Sequence, residues 1–500
     1  MMIKFLFLLL LTPFISFSQL QIDEFFSDNM VLQRNHPINF RGRALPGKRV
    51  TIKFLNKEQT TLTGIDSTWV IEFPPQKAST LPSKVIIRSE NDSTYLNNLL
   101  IGDIWLCTGQ SNMEWPFSKD KFYREEINIT DQPLIRFYNP VYAGKGIYGI
   151  PFSDSIMKKM NTEDFYQGNW EQCDSNTVKN MSAIGYYFAK ELTRKESIPI
   201  GLINLSIGGA PLETFISRKA LSSDSLFSRK IKGNWLYNHE LPAWSRERGF
   251  QNSTVEKANV QPDGPNHPYK PGFAYEAGIL PIKHYPIAGV ILYQGETNSL
   301  EMSRVLEYRS LMNLMINDYR NTFNQPALPF YWVQLSSIDT TNYGSTYWPL
   351  FRDEQRKLSD EVKYGGMAVS SDIGARNDVH PRDKKTVGER LSKLALHFHY
   401  GHRDIEYSGP KPTHVKYKKG KVILRFKHAL KGLQTSDGKG LRGFSVDGIN
   451  EVQALIINKK IIVSVNFKPE YIYYGWKPFS DGNLVNSEKL PASTFKVKIK

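Results

Sequence analysis

A chain of 500 residues is too long for one hydrophobic core, so two or three domains are expected. Composition is that of a globular protein, 40% apolar, and two cysteines (Cys107 and Cys173) exclude a disulfide framework. The formal charge of +15 raises nucleic acid as a partner, but the densest basic run, "HVKYKKGKVILRFKH", alternates Lys with Val, Tyr and Ile. That is the pattern of a solvated strand face, so no nucleic-acid partner is expected.

The first residues read "MMIKFLFLLLLTPFISFSQ": one Lys, an apolar stretch, then the small-x-small site Ser16-Phe17-Ser18. This is the pattern of a signal peptide over 1–18, with Gln19 as the mature start and a secreted or periplasmic destination. No later segment is apolar for long enough to span a bilayer. Residues 19–99 hold short alternating segments ("MVLQR", "RVTIKFL", "STWVIEF", "KVIIRS") separated by turns, the signature of a small β domain.

From 100 to about 405 the character changes. Continuous apolar runs ("DIWLC", "LIRFYN", "GLINLS", "GVILYQ", "PFYWVQL", "GMAVSS") alternate with helical patterns such as "MSAIGYYFAKELTRKE". The expectation is an α/β domain around a buried, mostly parallel sheet, with its site beyond the C-terminal ends of the strands. A segment at about 221–270, rich in Trp, Tyr, Pro and Asn, reads as an insertion. Alternation returns over 406–500, a C-terminal β region.

Four strands deliver polar, Gly-containing loops to one edge. The first ends in "GQSNM", which presents Ser111 either as a nucleophile or as the cap of the next helix. The second ends in Gly208-Gly209, whose N–H groups suit an oxyanion or a tight turn. The third ends in "QGETN", offering the Asn298 amide. The fourth leads through Asp372 to "NDVHP", where Asp378 lies two residues before His380 and Pro381 fits the first turn of a helix. Asp378 either orients the imidazole or caps that helix, while Asp372 is read as a loop anchor. Glu296 and Gln110 are read as site support. Trp235, Tyr237, Trp244 and Tyr269 of the insertion either stack on a bound substrate or pack the loop.

These blocks together resemble the sialate O-acetylesterase family, exported carbohydrate esterases of the SGNH-hydrolase fold. "IGDIWLCTGQSNMEW" is similar to the nucleophile block, "INLSIGGAPLETFIS" and "GVILYQGETN" to the second and third, and "NDVHP" to the block bearing the histidine. "MVLQR…G…PG" and "YYGWKPFSDGNLVNSEKLPASTF" extend the resemblance over nearly the whole mature chain. It implies a three-layer catalytic domain flanked by β domains and a serine esterase that removes O-acetyl groups from carbohydrate, most of all from sialic acid. Ser111 would be the nucleophile, His380 the base, Asp378 its orienter, and Ser111, Gly209 and Asn298 the oxyanion donors. No metal or organic cofactor is implied. Leu292 and Glu276 depart from the family pattern at positions expected near the cleft. Acetylated plant polysaccharide (xylan, mannan or pectin) is the alternative substrate. A non-catalytic carbohydrate-binding protein is the alternative of another class. Oligomeric state is not legible in the sequence.

Overall fold

The computed structural model describes residues 20–253, 261–339, 343–429 and 431–500. The signal-like segment over 1–18, the expected mature start Gln19 and part of the 221–270 insertion lie outside the described residues. Strand β1 (Asp92–Gly109) organises the rest. Its first part pairs antiparallel with Ser79–Ser89 and parallel with Val31–Gln33, inside the N-terminal β region. Its last part enters the centre of the α/β region. The division at 99/100 suggested by composition falls within this one strand.

Around β1 lie β2 (Gln132–Tyr138), β3 (Trp170–Cys173), β4 (Ile200–Asn204), β5 (Gly289–Tyr293), β6 (Phe330–Val333) and β7 (Gly365–Ala368), in the order β3-β2-β4-β1-β5-β6-β7. The β3–β2 pairing is antiparallel and the other five are parallel; with the N-terminal strands they form one mixed sheet of 11 strands. Strands β4, β5 and β6 are buried over their whole length, so uninterrupted apolar runs can stand there with both faces covered.

Helix α2 (Ala183–Glu196) packs against α5 (Lys384–Phe398), and both lie on the sheet. The two backbones approach closely at Gly388, where a Cβ would come 2.7 Å from the Tyr187 Cβ and 2.8 Å from the Ile184 carbonyl. Helices α3 (Met302–Thr322) and α4 (Trp348–Glu361) form another pair. Helix α5 starts later than the sequence suggested. Its cap is Asp383, whose carboxylate accepts from the Thr386 N–H, so Pro381 lies in the preceding loop and Asp378 does not cap the helix.

One hydrophobic cluster runs from Leu20 to Leu396, so the N-terminal β region and the α/β region share a core. The C-terminal strands have a second cluster, from Val415 to Ile499. The buried Arg352 of α4 ties the two regions, donating to the carbonyls of Gly475, Lys477 and Pro478 and to Ser337 Oγ. Cys107 and Cys173 are free and buried. Among the described residues, no helix is long and apolar enough to cross a membrane.

Candidate active site

Strand β1 ends at Gly109, and its last residues cross to β5 in parallel register, with Tyr293 opposite Gly109. The chain then turns into a four-residue helix, α1 (Ser111–Glu114). The cap position of α1 is Gln110, not Ser111, and no side chain caps it. The Ser111 hydroxyl is therefore free for another partner. It meets His380, with Oγ and Nε2 2.7 Å apart. These residues are 269 positions apart in sequence, so their meeting is a product of the sheet order.

His380 is held from several sides. Its ring stacks on Trp115, centroids 5.1 Å apart and planes at 24°. Its backbone N–H donates to Asp378 Oδ1 at 2.8 Å, which closes a tight turn, and the same oxygen lies 3.6 Å from Nδ1. That is ion-pair distance but longer than a hydrogen bond, and the Asp378 side chain is 50% exposed. Burial pulls the imidazole down to about 4; the Lys384 and Lys119 charges add to this and Asp378 opposes it. Asp372 is engaged elsewhere. Both of its oxygens accept from the Arg390 guanidinium at 2.7 Å, a fork that anchors its loop to α5.

Gly209 has φ +72, the left-handed region, and a Cβ there would meet Trp244 and Tyr269 at 2.5 and 2.6 Å. The Tyr269 hydroxyl donates to the Gly208 carbonyl at 2.7 Å. So Trp244 and Tyr269 pack the glycine turn. Among the described residues, the N–H groups of Ser111 and Gly209 make no hydrogen bond, which leaves both as donors. The side chain of Asn298 is fully buried and faces a different neighbour from the one expected. Its Nδ2 donates to Glu213 Oε2 at 3.0 Å, and its Oδ1 accepts from the Leu212 N–H and from Gln294 Nε2. A buried carboxylate takes one of the two N–H groups of the amide, and through these bonds Asn298 braces the second and third loops. Glu213 is itself paired with the buried Lys230 at 2.8 Å.

Gln110 Oε1 accepts long contacts, 3.4 Å each, from Gln294 Nε2 and the N–H groups of Gly295 and Thr297. Glu296 is buried and accepts from Asn112 Nδ2 at 2.5 Å. Both therefore hold the first loop to the third. Leu292 is buried inside β5. Glu276 lies among the charges of Arg218, Lys270 and Asp263.

The Ser111–His380 pair opens into a cleft of about 750 Å³. Its walls carry Trp115, Tyr148 and the amides Asn139, Gln167, Asn169 and Asn180. Glu114 and Lys145 form an ion pair of 3.0 Å at its side, and Lys119 lines it with an exposed ammonium. None of Trp235, Tyr237, Trp244, Tyr269, Leu292 and Glu276 lines it. Trp235 is buried with its Nε1 donating to Pro265, and Tyr237 meets Phe250. The sequence reading thus missed Trp115 and Tyr148 as wall residues, although Trp115 lies four positions after Ser111. Among the described residues, no group of three or more His, Cys, Asp or Glu side chains is placed to hold a metal ion.

Comparisons with known proteins point to carbohydrate ester hydrolysis. The family described as carbohydrate esterase, sialic acid-specific acetylesterase matches residues 273–397, a span that holds Glu296 and His380. The mouse sialate O-acetylesterase is 25% identical over 419 residues, 78% of this chain and 75% of that protein. The human sialate O-acetylesterase is 26% identical over 431 residues, covering 80% and 75%. The crystal structure of a carbohydrate acetylesterase from Xanthomonas citri superposes with a TM-score of 0.78 at 26% identity, covering 96% of this chain and 99% of that one. Family match, relatives and whole-chain superposition agree that this chain is similar to the sialate O-acetylesterases and related carbohydrate acetylesterases, and that it is a carboxylic ester hydrolase.

Proposed function

We propose that this protein is a serine esterase that removes O-acetyl groups from carbohydrate through an acetyl-enzyme. The observation that carries the reading is the 2.7 Å contact between Ser111 Oγ and His380 Nε2 on the floor of the cleft. Ser111 attacks the acetyl carbonyl while His380 Nε2 takes its proton. The oxyanion rests on the N–H groups of Ser111 and Gly209. His380 then returns the proton to the departing sugar oxygen, and water hydrolyses the acetyl-enzyme with the same base. Asp378 stabilises the imidazolium across solvent-accessible space rather than through a short buried bond. The α/β region is read as an SGNH-hydrolase-like domain flanked by β regions, and the enzyme as exported with a mature start near Gln19. N-terminal sequencing of protein from the native host tests the last point: an intact Met1 would overturn it.

The substrate reading is O-acetylated sialic acid. The mouse and human relatives carry that activity in their names. The exposed Lys119 ammonium in the cleft gives the sugar carboxylate a partner. A second reading, acetylated polysaccharide, is favoured by the cleft volume of about 750 Å³ and its four amides, which exceed the needs of one sugar. Acetate release from 9-O-acetylated sialic acid, acetylated xylan, acetylated mannan and pectin decides between them. Release from the sialic acid alone supports the first reading, and release from a polysaccharide alone supports the second. No release from any of them contradicts both.

A further inference from the structure

Three loops of the site meet at one buried side chain that neither attacks nor accepts a proton in the reaction above. Asn112 follows Ser111 directly. Its Nδ2 donates to Glu296 Oε1 at 2.5 Å and to the Val379 carbonyl at 3.0 Å. Its Oδ1 accepts from Lys384 Nζ. Val379 in turn precedes His380. One amide thus joins the residue after the nucleophile to the residue before the base. Its orientation is fixed, because two acceptors face its nitrogen and an ammonium faces its oxygen.

Lys384 is the unusual member. It opens α5 four residues after His380, and its side chain is fully buried. Its backbone N–H donates to Asp120 Oδ2 at 2.9 Å, and Asp120 also accepts from the Tyr187 hydroxyl. Its Nζ lies 5.3 Å from the centroid of Trp115, the ring that stacks on His380, and 5.8 Å from that of Tyr293. No carboxylate reaches its ammonium directly: among the described residues no salt bridge includes it. A buried cation costs stability unless it is paired and hydrogen-bonded, so its place beside a catalytic base calls for a reason.

We propose that Lys384 is a positioning residue which, through Asn112 and the Trp115 ring, keeps His380 neutral and aimed at Ser111. The proposal rests on the Ser111–His380 reading above. Its electrostatic half follows from the charges that face the imidazole. The nucleophile segment supplies Lys119, the histidine's own loop supplies Asp378, and α5 supplies Lys384, the strongest of the charges that lower His380. Burial pulls Lys384 itself down to about 7, against the carboxylates of Glu296, Asp120, Asp378 and Asp383. Burial also pushes Glu296 up to about 7. In mildly acidic solution Lys384 is therefore charged, which disfavours the imidazolium and leaves His380 available as a base where an ordinary histidine is protonated. The geometric half is the Asn112 clamp, which fixes both catalytic loops relative to each other.

The test is the pH profile of kcat and KM for p-nitrophenyl acetate with four variants. Lys384→Gln keeps a donor for Asn112 and removes the charge. Its acid limb should move to higher pH, with the ratio of turnover at pH 5 to that at pH 8 falling about threefold or more and KM within about twofold. An acid limb identical to wild type overturns the electrostatic half. Lys384→Met removes the donor as well, and kcat at pH 8 should fall about tenfold or more with KM nearly unchanged. Unchanged kcat overturns the clamp. Should these variants not fold, Asn112→Asp and the double variant Asn112→Asp with Glu296→Gln exchange the carboxylate and amide across one hydrogen bond. Recovery of kcat in the double variant by about fivefold supports the clamp, and no recovery overturns it. His380→Gln is measured alongside. If it retains turnover, the underlying Ser–His reading fails; if it is inactive while the Lys384 profiles match wild type, the positioning proposal alone fails.

Discussion

Asp378→Asn removes one charge beside His380 while keeping the shape of its loop. The Asn Oδ1 still accepts from the His380 N–H, the 2.8 Å bond that closes the turn. What is lost is the attraction between a carboxylate and the imidazolium formed when Ser111 gives up its proton. The oxygen lies 3.6 Å from Nδ1, and the Asp378 side chain is 50% exposed. With an effective dielectric constant of about 40 to 80 for such a site, Coulomb's law gives about 1 to 2 kcal/mol. That corresponds to a loss of roughly 5-fold to 30-fold in turnover. A triad with a buried, short Asp–His bond loses about 10⁴ on the same change. Steady-state hydrolysis of p-nitrophenyl acetate at pH 8 distinguishes the two ranges. A loss near 10⁴ would show that Asp378 closes on Nδ1 during the reaction. No loss would show that another group orients the ring.

Four further outcomes follow from the same geometry. Asp372→Asn, which weakens the fork to Arg390, should lower the melting temperature more than turnover, measured by thermal denaturation and by the same assay. Because His380 is pulled down to about 4, the base stays neutral down to mildly acidic pH; kcat/KM should hold down to about pH 5 and fall below it, whereas a fall centred near 6.5 would contradict the burial of the ring. Gly209→Ala places a Cβ 2.5 Å from Trp244 at a positive φ, so turnover should drop about tenfold or more together with the melting temperature. Asn298→Ala leaves Glu213 Oε2 and the Leu212 N–H without a partner, costing about 1–3 kcal/mol of stability measured in urea, while Ser111→Ala should leave stability unchanged.

The Ser111–His380 pair was legible because its signals are local. An apolar strand that stops in Gly-Gln-Ser-Asn, and an Asp-Val-His-Pro loop after another strand, announce themselves without knowledge of the fold. The alternation of buried strands and helices was legible for the same reason, since an apolar run with no polar face must be covered on both sides. The roles that depend on long-range packing were not. Asn298 has the right chemistry for an oxyanion donor, but no local pattern announces that Glu213, 85 positions away, holds one of the N–H groups of its amide. The insertion aromatics carry no periodicity to say which way they face, and they pack the glycine turn, the insertion itself or its surface. Trp115 and Tyr148 line the cleft because of loops whose course no pattern encodes. Lys384 looks like an ordinary solvated lysine at a helix start, and only the packing of α5 over Asn112 buries it.

The central claim is that Ser111 forms a covalent bond to the acyl group. Inactivation with a fluorophosphonate that reacts with activated serines, followed by peptide mass spectrometry, tests it most directly. The account predicts loss of activity in step with a single modification on the peptide containing Ser111, and neither labelling nor turnover in Ser111→Ala. Modification of a different residue in step with inactivation, or an Ser111→Ala enzyme that still releases acetate, would contradict it.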